Sequence, residues 1–270
     1  MTDKYAKQRG ELLAELDGLR VEIDAPRRIA TLWLDRPPLN IVSYKARSQI
    51  GALFEEMGKD PDIGVIVVRG ANGVYTSGGD VRGFFKVHRD GMSHLAWNIA
   101  APERCPKPVI AAMEKYAMGV GLELALACDF RLATKDTLVA LPEITIGQMP
   151  GSGGSQRILR MVGMTRAKDM VLQGRRLPAE EAHRWGLLTE VVEDGAALDK
   201  AVLAYAERLN ALSPLALTTL KRVLNFGEDA ALEASMEIEG HAYEKLRDSH
   251  DYHEGANAFF EKRKARYKGE

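Results

Sequence analysis

Two glutamates and two glycine-rich turns are the residues of this sequence whose types and spacing could do chemistry. Thr76-Ser77-Gly78-Gly79-Asp80 and Met118-Gly119-Val120-Gly121-Leu122-Glu123 each follow an apolar run of the kind that forms a buried strand. Glycine at a strand end lets backbone N–H groups face a ligand with no side chain in the way. Two such turns feeding helix N-termini could direct a pair of amides at one oxygen, as an oxyanion hole requires. Glu123 lies in the apolar segment Gly121-Leu122-Glu123-Leu124-Ala125, where an ionised side chain is costly unless paired or used. Glu143 follows Leu141-Pro142 at the end of another apolar stretch. Two carboxyl groups beside a polarised carbonyl suit general acid–base catalysis. The same residues also fit a plainer arrangement, in which the glycines only permit tight turns, Glu123 caps a helix and Glu143 lies on the surface.

The elements that must position these residues alternate. Residues 20–23 and 29–34 read as a β-hairpin around a turn carrying Asp24 and Pro26. Ser43 caps a helix with apolar spacing at Ile50, Leu53, Phe54 and Met57. Residues 63–69 and 106–113 are continuous apolar runs, the mark of strands buried on both faces. Asp80 can cap the helical stretch after the first turn, 122–127 reads as a helix and 129–134 as the next strand. Strands alternating with helices imply right-handed parallel crossovers. From residue 151 onward the pattern turns helical, at 155–161, 165–173, 179–185, 196–212, 215–224 and 230–246, with one short strand at 188–192. The expectation is an α/β core over residues 1–195 and a helical C-terminal part, 196–270, acting as lid and oligomer surface.

Composition removes several classes of function. The chain has 270 residues, 46% hydrophobic and 28% charged, enough apolar side chains for a large core. A formal charge of −1 lacks the basic excess of a dedicated nucleic-acid binder. No apolar run is long enough to span a membrane. Asp3, Glu11, Glu15 and Asp17 spoil a signal or transit peptide, so a cytoplasmic protein is expected. Cys105 and Cys128 are the only cysteines, neither has a partner at metal-ligand spacing, and Cys128 in its apolar run reads as a buried free thiol.

At its motifs the sequence resembles an enoyl-CoA hydratase of the crotonase superfamily. The resemblance is carried by Arg36-Pro37 with Asn40, Tyr75-Thr76-Ser77-Gly78-Gly79-Asp80, Pro108-Val109-Ile110-Ala111-Ala112, Tyr116-Ala117-Met118-Gly119, Glu123-Leu124-Ala125 with Cys128-Asp129, Pro142-Glu143, Gly147, Pro150-Gly151 with Gly153-Gly154 and Gln156-Arg157, and Glu261-Lys262-Arg263. It implies a spiral of ββα turns forming two nearly perpendicular sheets, a C-terminal helical region used for assembly into a trimer or dimer of trimers, an acyl-CoA substrate, and neither a separate cofactor nor a metal. It implies that the backbone N–H groups of Ser77 and Val120 hold the thioester oxygen, that Glu123 is the base toward the attacking water, and that Glu143 delivers a proton to the α-carbon. Substrate and CoA contacts are implied at Arg36, Leu39, Thr76, Gly78, Asp80, Gly119, Gly151, Phe259 and Lys262.

Two departures stand out against that resemblance. Val120 occupies a position that is commonly Gly and is expected to narrow the pocket beside the thioester, and Ser77 replaces a common Ala. Phe84, Phe85, His88, Met92, His94 and Trp97 fall where relatives border the acyl pocket and read as a helical face packing on the core. Lys262, Arg263, Lys264 and Arg266 could meet CoA phosphates, from across a subunit boundary, or form a solvated basic tail. Alternatives to simple hydration are a hydratase for an alicyclic, branched or aryl-conjugated enoyl-CoA, a Δ3-Δ2 isomerase, or an acyl-CoA- or RNA-binding module without activity.

Overall fold

Among the described residues nine strands form in chain order: β1 (Leu19–Asp24), β2 (Ile29–Leu34), β3 (Val65–Gly70), β4 (Val109–Met113), β5 (Tyr116–Met118), β6 (Phe130–Thr134), β7 (Leu138–Ala140), β8 (Leu177–Pro178) and β9 (Glu190–Val192). The structure, a computed structural model, describes residues 5, 8–87 and 92–270; His88 therefore lies outside the described residues. Six strands make one sheet in the order β1-β2-β3-β4-β6-β9, and three make a second in the order β5-β7-β8. β1 and β2 are the expected antiparallel hairpin, and β2, β3, β4, β6 and β9 run parallel. The second sheet does not show in the hydrophobic pattern, because strands of two or three residues are too short for a periodicity to register.

The longer helices are α1 (Tyr44–Lys59), α2 (Val120–Leu126), α3 (Gly154–Gln173), α4 (Gly195–Asn210), α5 (Pro214–Gly227), α6 (Leu232–Arg247) and α7 (His250–Phe260). Ser43 caps α1 as expected, its Oγ accepting from the Ala46 N–H at 3.0 Å. The helices expected at 155–161 and 165–173 are the two halves of α3, broken at Gly163 with φ +77°. Short helical turns at Val81–Phe84, Leu95–Ile99 and Ala101–Arg104 link the first glycine-rich turn to β4.

Pleating sends successive side chains of the large sheet to opposite faces, and both faces are buried. Ile66, Val68, Val109, Ala111 and Met113 join the main core, with α1 and α2. Val65, Val67, Ile110 and Ala112 meet Leu198, Val202, Ala206 and Leu209 of α4 in a second cluster. Helix α5 is tied to this body by Lys221, 9% exposed, whose Nζ donates to Asp129 Oδ2 at 2.7 Å and to the carbonyls of Pro102 and Lys107 at 2.7 and 2.9 Å. Asp251 on α7 accepts the N–H groups of Lys268 and Gly269 and the Ser213 hydroxyl, which docks the chain end. Cys128 is the buried free thiol expected, and burial pushes its pKa far up. Among the described residues no helix is long and apolar enough to cross a membrane.

Candidate active site

The two glycine-rich turns lie against each other. Thr76 pairs with Ala117 in a parallel bridge, and its buried Oγ1 accepts the Gly78 N–H at 3.0 Å. A Cβ on Gly78 would stand 3.0 Å from the Met118 carbonyl oxygen, and one on Gly121 would stand 2.1 Å from Thr76 Cγ2. Side chains at these positions would push the turns apart.

Backbone bonding decides which amides are free. The Ser77 N–H donates to the Leu39 carbonyl at 2.9 Å, so the chain itself consumes the amide that was expected to face the thioester. Val42 N–H donates to Gly78 O at 2.9 Å and Asp80 N–H to Val42 O at 3.2 Å, which leaves the intervening Gly79 N–H without a protein acceptor among the described residues. The Val120 N–H, at the first position of α2, is likewise unclaimed, as the opening amides of a helix are. The free pair is therefore Gly79 and Val120, not Ser77 and Val120. The Val120 side chain is 3% exposed and packs into the main core.

Glu123 projects from α2 and is 2% exposed. Its Oε1 accepts two backbone N–H groups, from Ser152 at 2.7 Å and Gly154 at 2.9 Å. The close fit needs glycine: a Cβ on Gly154 would stand 2.8 Å from Glu123 Cγ. Glu143 begins a 3-10 turn, Glu143–Ile146, after β7. Its Oε2 is buried without a partner, and its Oε1 would be 2.9 Å from a Cβ on Gly119, directly before the free Val120 amide. Burial pushes the Glu143 carboxyl up to about 7; the Glu123 charge adds to the rise, while its own backbone bond and the charge of Arg47 oppose it.

Arg47 is the member of this site that the sequence did not single out. It stands on the buried face of α1, 6% exposed, with Nη1 donating to Ser152 Oγ at 3.1 Å. Burial lowers the pKa of its guanidinium, and the charges of Glu123, Tyr44 and Glu143 act against that. Its signal in the sequence was faint: a charged residue next to the apolar positions of α1.

The remaining expected residues separate into groups. Thr76, Gly78 and Gly119 line the two turns, and Asp80 caps the Val81–Phe84 turn through the Gly83 N–H at 3.0 Å. Arg36 is ion-paired to Asp17, while Leu39 is 42% exposed next to the first turn. Gly151 is exposed at the mouth of the loop that grips Glu123. Phe259, 79% exposed, and Lys262 sit at the C-terminal end of α7, and no hydrogen bond or ion pair links them to the glutamates. Arg263 is engaged by Glu254 and Glu261. The aromatic face expected after the first turn is only partly packed: Phe84 meets Tyr44 with ring centroids 5.4 Å apart, whereas Phe85 and Trp97 are 90% and 61% exposed.

Comparison with known proteins agrees with this geometry. The enoyl-CoA hydratase/isomerase family model matches residues 24–270. The chain is similar to a 2,3-dehydroadipyl-CoA hydratase of Escherichia coli, 34% identical over 92% of this chain and 98% of the relative. It is similar also to a probable enoyl-CoA hydratase of Rhizobium meliloti, 32% identical over 91% and 96%. Among solved structures, an enoyl-CoA hydratase from Bacillus anthracis superposes with a TM-score of 0.87 at 31% identity, covering 94% of this chain and 100% of that one. With its two sheets, apposed turns and matched length, the chain belongs to the enoyl-CoA hydratase/isomerase family of the crotonase superfamily, a family of enzymes.

Proposed function

We propose that this enzyme adds water to a 2-enoyl-CoA thioester to give a 3-hydroxyacyl-CoA, or removes it in reverse. The observation that carries the reading is a pair of glutamates in opposed environments beside two unclaimed amides. Acid and base roles call for two carboxyl groups in different settings. Glu123, its Oε1 held by two N–H donors, is the base. Glu143, raised to about 7, is the acid.

In this reading the thioester oxygen accepts from the Gly79 and Val120 amides, which stabilise the charge that collects there as the double bond is attacked. Glu123 takes a proton from water while the hydroxide oxygen bonds to the β-carbon. Glu143 gives its proton to the α-carbon, and the double bond becomes a single bond. One water is added in all, and return of the Glu123 proton to Glu143 resets the pair. Phe259 and Lys262 belong to the CoA end of the site, brought to it from a neighbouring subunit.

That neighbour is part of the proposal. Leu220, Leu224, Leu232 and Met236 on the adjoining helices α5 and α6 are 54%, 69%, 74% and 63% exposed, and large apolar side chains left open in this way suit an interface. A trimer or dimer of trimers is expected, and light scattering that shows a monomer across micromolar concentrations would refute it. Hydration is tested by offering a panel of 2-enoyl-CoA esters and following the gain of one water by mass spectrometry. Water gain that disappears in Glu123→Gln and Glu143→Gln supports the reading. Migration of a 3-enoyl double bond with no water gain would replace it with isomerisation.

A further inference from the structure

Helix α1 presents to the core a face built from Ala46, Ile50, Leu53, Phe54 and Met57, each at most 1% exposed. Arg47 shares that burial, and a guanidinium there is costly unless its charge and donors are used. No carboxylate forms an ion pair with it among the described residues. Its support is partial. The rings of Tyr44 and Phe84 flank it at 5.2 and 5.9 Å from their centroids, Nη1 is taken by Ser152, and the charges of Glu123 and Glu143 reach it. Nε has no acceptor among the described residues.

The place of the guanidinium is as informative as its missing partner. A Cβ at residue 79 would stand 2.9 Å from Arg47 Nη2 and 2.9 Å from Phe84 Cζ. Glycine at 79 thus supplies the free amide and also the space that lets the guanidinium approach it. The guanidinium therefore lies beside the amide on which the thioester oxygen is proposed to rest. The other buried side-chain atoms without a partner among the described residues are the Tyr75 hydroxyl, on the residue before the first turn, and Glu143 Oε2, an acceptor or acid. Beside the two glutamates, Arg47 is therefore an unmatched donor group. A plain alkyl chain would leave the Arg47 donor dry and unpaired, whereas an oxygen on the acyl group would satisfy it.

We infer that Arg47 is a specificity-determining residue that donates to an oxygen carried on the acyl group, so that the substrate class is a 2-enoyl-CoA bearing a carboxylate or carbonyl oxygen within a few carbons of its double bond. This rests on the hydratase reading above and narrows it. Arg47 does not move a proton; its planar, permanently charged fork recognises the oxygen.

The test compares matched esters: pent-2-enoyl-CoA with pent-2-enedioyl-CoA, and hex-2-enoyl-CoA with hex-2-enedioyl-CoA and 5-oxohex-2-enoyl-CoA. The wild-type enzyme is expected to prefer an oxygen-bearing member over its alkyl partner by about 10- to 100-fold in kcat/KM, the value of a hydrogen bond to a charged group. A preference for the dioyl esters alone identifies a carboxylate, and a preference that includes the oxo ester identifies a carbonyl acceptor. Arg47→Met should erase that ratio, and Arg47→Lys, which keeps charge but loses the fork, should restore part of it. Circular dichroism checks that both variants fold, and the wild-type panel decides the matter independently of them. Alkyl esters hydrated at least as well as every oxygenated partner would overturn this inference alone. Equal losses for both kinds of ester in Arg47→Met would also overturn it, leaving Arg47 as a support for Ser152. Failure to hydrate any ester would overturn the hydratase reading and this inference together.

Discussion

The loop that grips Glu123 and the turn that carries Glu143 hold the same side chain by different means. Residues 152–154 supply two backbone donors to a carboxyl group that is otherwise enclosed, so Glu123 is fixed in position. The Glu143–Ile146 turn gives its glutamate burial with no side-chain partner for Oε2, so Glu143 is held by exclusion of water and stays near the point of titration. The fold thus places a carboxyl group pinned by backbone donors and one raised by desolvation on the two sides of one pair of amides. The difference shows that two glutamates can be given different settings without a change of residue type.

The largest expected effect comes from removing either proton carrier. Glu123→Gln and Glu143→Gln should each lower kcat for hydration by about 10²- to 10⁴-fold or more, with CoA-ester binding little changed. The double variant should be scarcely worse than the poorer single, because the two groups act on one water. A Glu123→Gln enzyme with undiminished hydration would remove the base role from the gripped carboxylate and break the comparison at its firmer side.

Smaller effects should follow from disturbing each support while keeping both glutamates. Gly154→Ala would place a methyl 2.8 Å from Glu123 Cγ and 3.0 Å from its Oε1, and a displacement of about 1 Å at a catalytic group costs about 10²-fold. Gly119→Ala would crowd Glu143 Oε1 at 2.9 Å and would also force an L-residue to φ +52°, a conformation that costs about 1–3 kcal/mol. The first variant should lose kcat with a nearly unchanged urea midpoint, and the second should lose both. Similar midpoints for the two would show that the backbone relaxes around residue 119.

How much of this was legible in sequence follows from the range of the interactions. The hairpin, the doubly buried strands and α1 rest on local periodicity and capping, and they formed where expected. Glu123 stood out because a carboxylate in an apolar run is an anomaly that any fold must resolve. The free amides were legible only to within two residues. Glycine content marks the first turn, but the Ser77 N–H is consumed by Leu39, a residue remote in sequence that only tertiary pairing brings close. Arg47 was silent for the same reason, since its partner Ser152 is 105 residues away. The expected packing of Phe85 and Trp97 failed because two or three turns of apolar spacing do not say which face finds a partner.

The smallest effect is a pH-dependent stability that belongs to Glu143 alone. In the unfolded chain its carboxyl titrates near 4.5, and in the folded enzyme near about 7. Between those values the folded protein keeps a proton that the unfolded chain has released, so raising the pH through this window favours unfolding. Below it both states are protonated, and above it both are ionised and the loss is complete. Glu143→Gln cannot ionise and escapes the loss. The stability of wild type relative to Glu143→Gln should therefore fall between pH 4.5 and about 7 and then level off. The fall should be about 1–2 kcal/mol, less than the full displacement would give because the group is partly open to solvent. Urea midpoints of both proteins across that range measure it, with other titrating groups cancelling in the difference. The same titration should reduce kcat above about pH 7 as the acid is lost. A flat stability difference would mean that Glu143 is solvated, and would leave the contrast with Glu123 one of hydrogen-bond geometry.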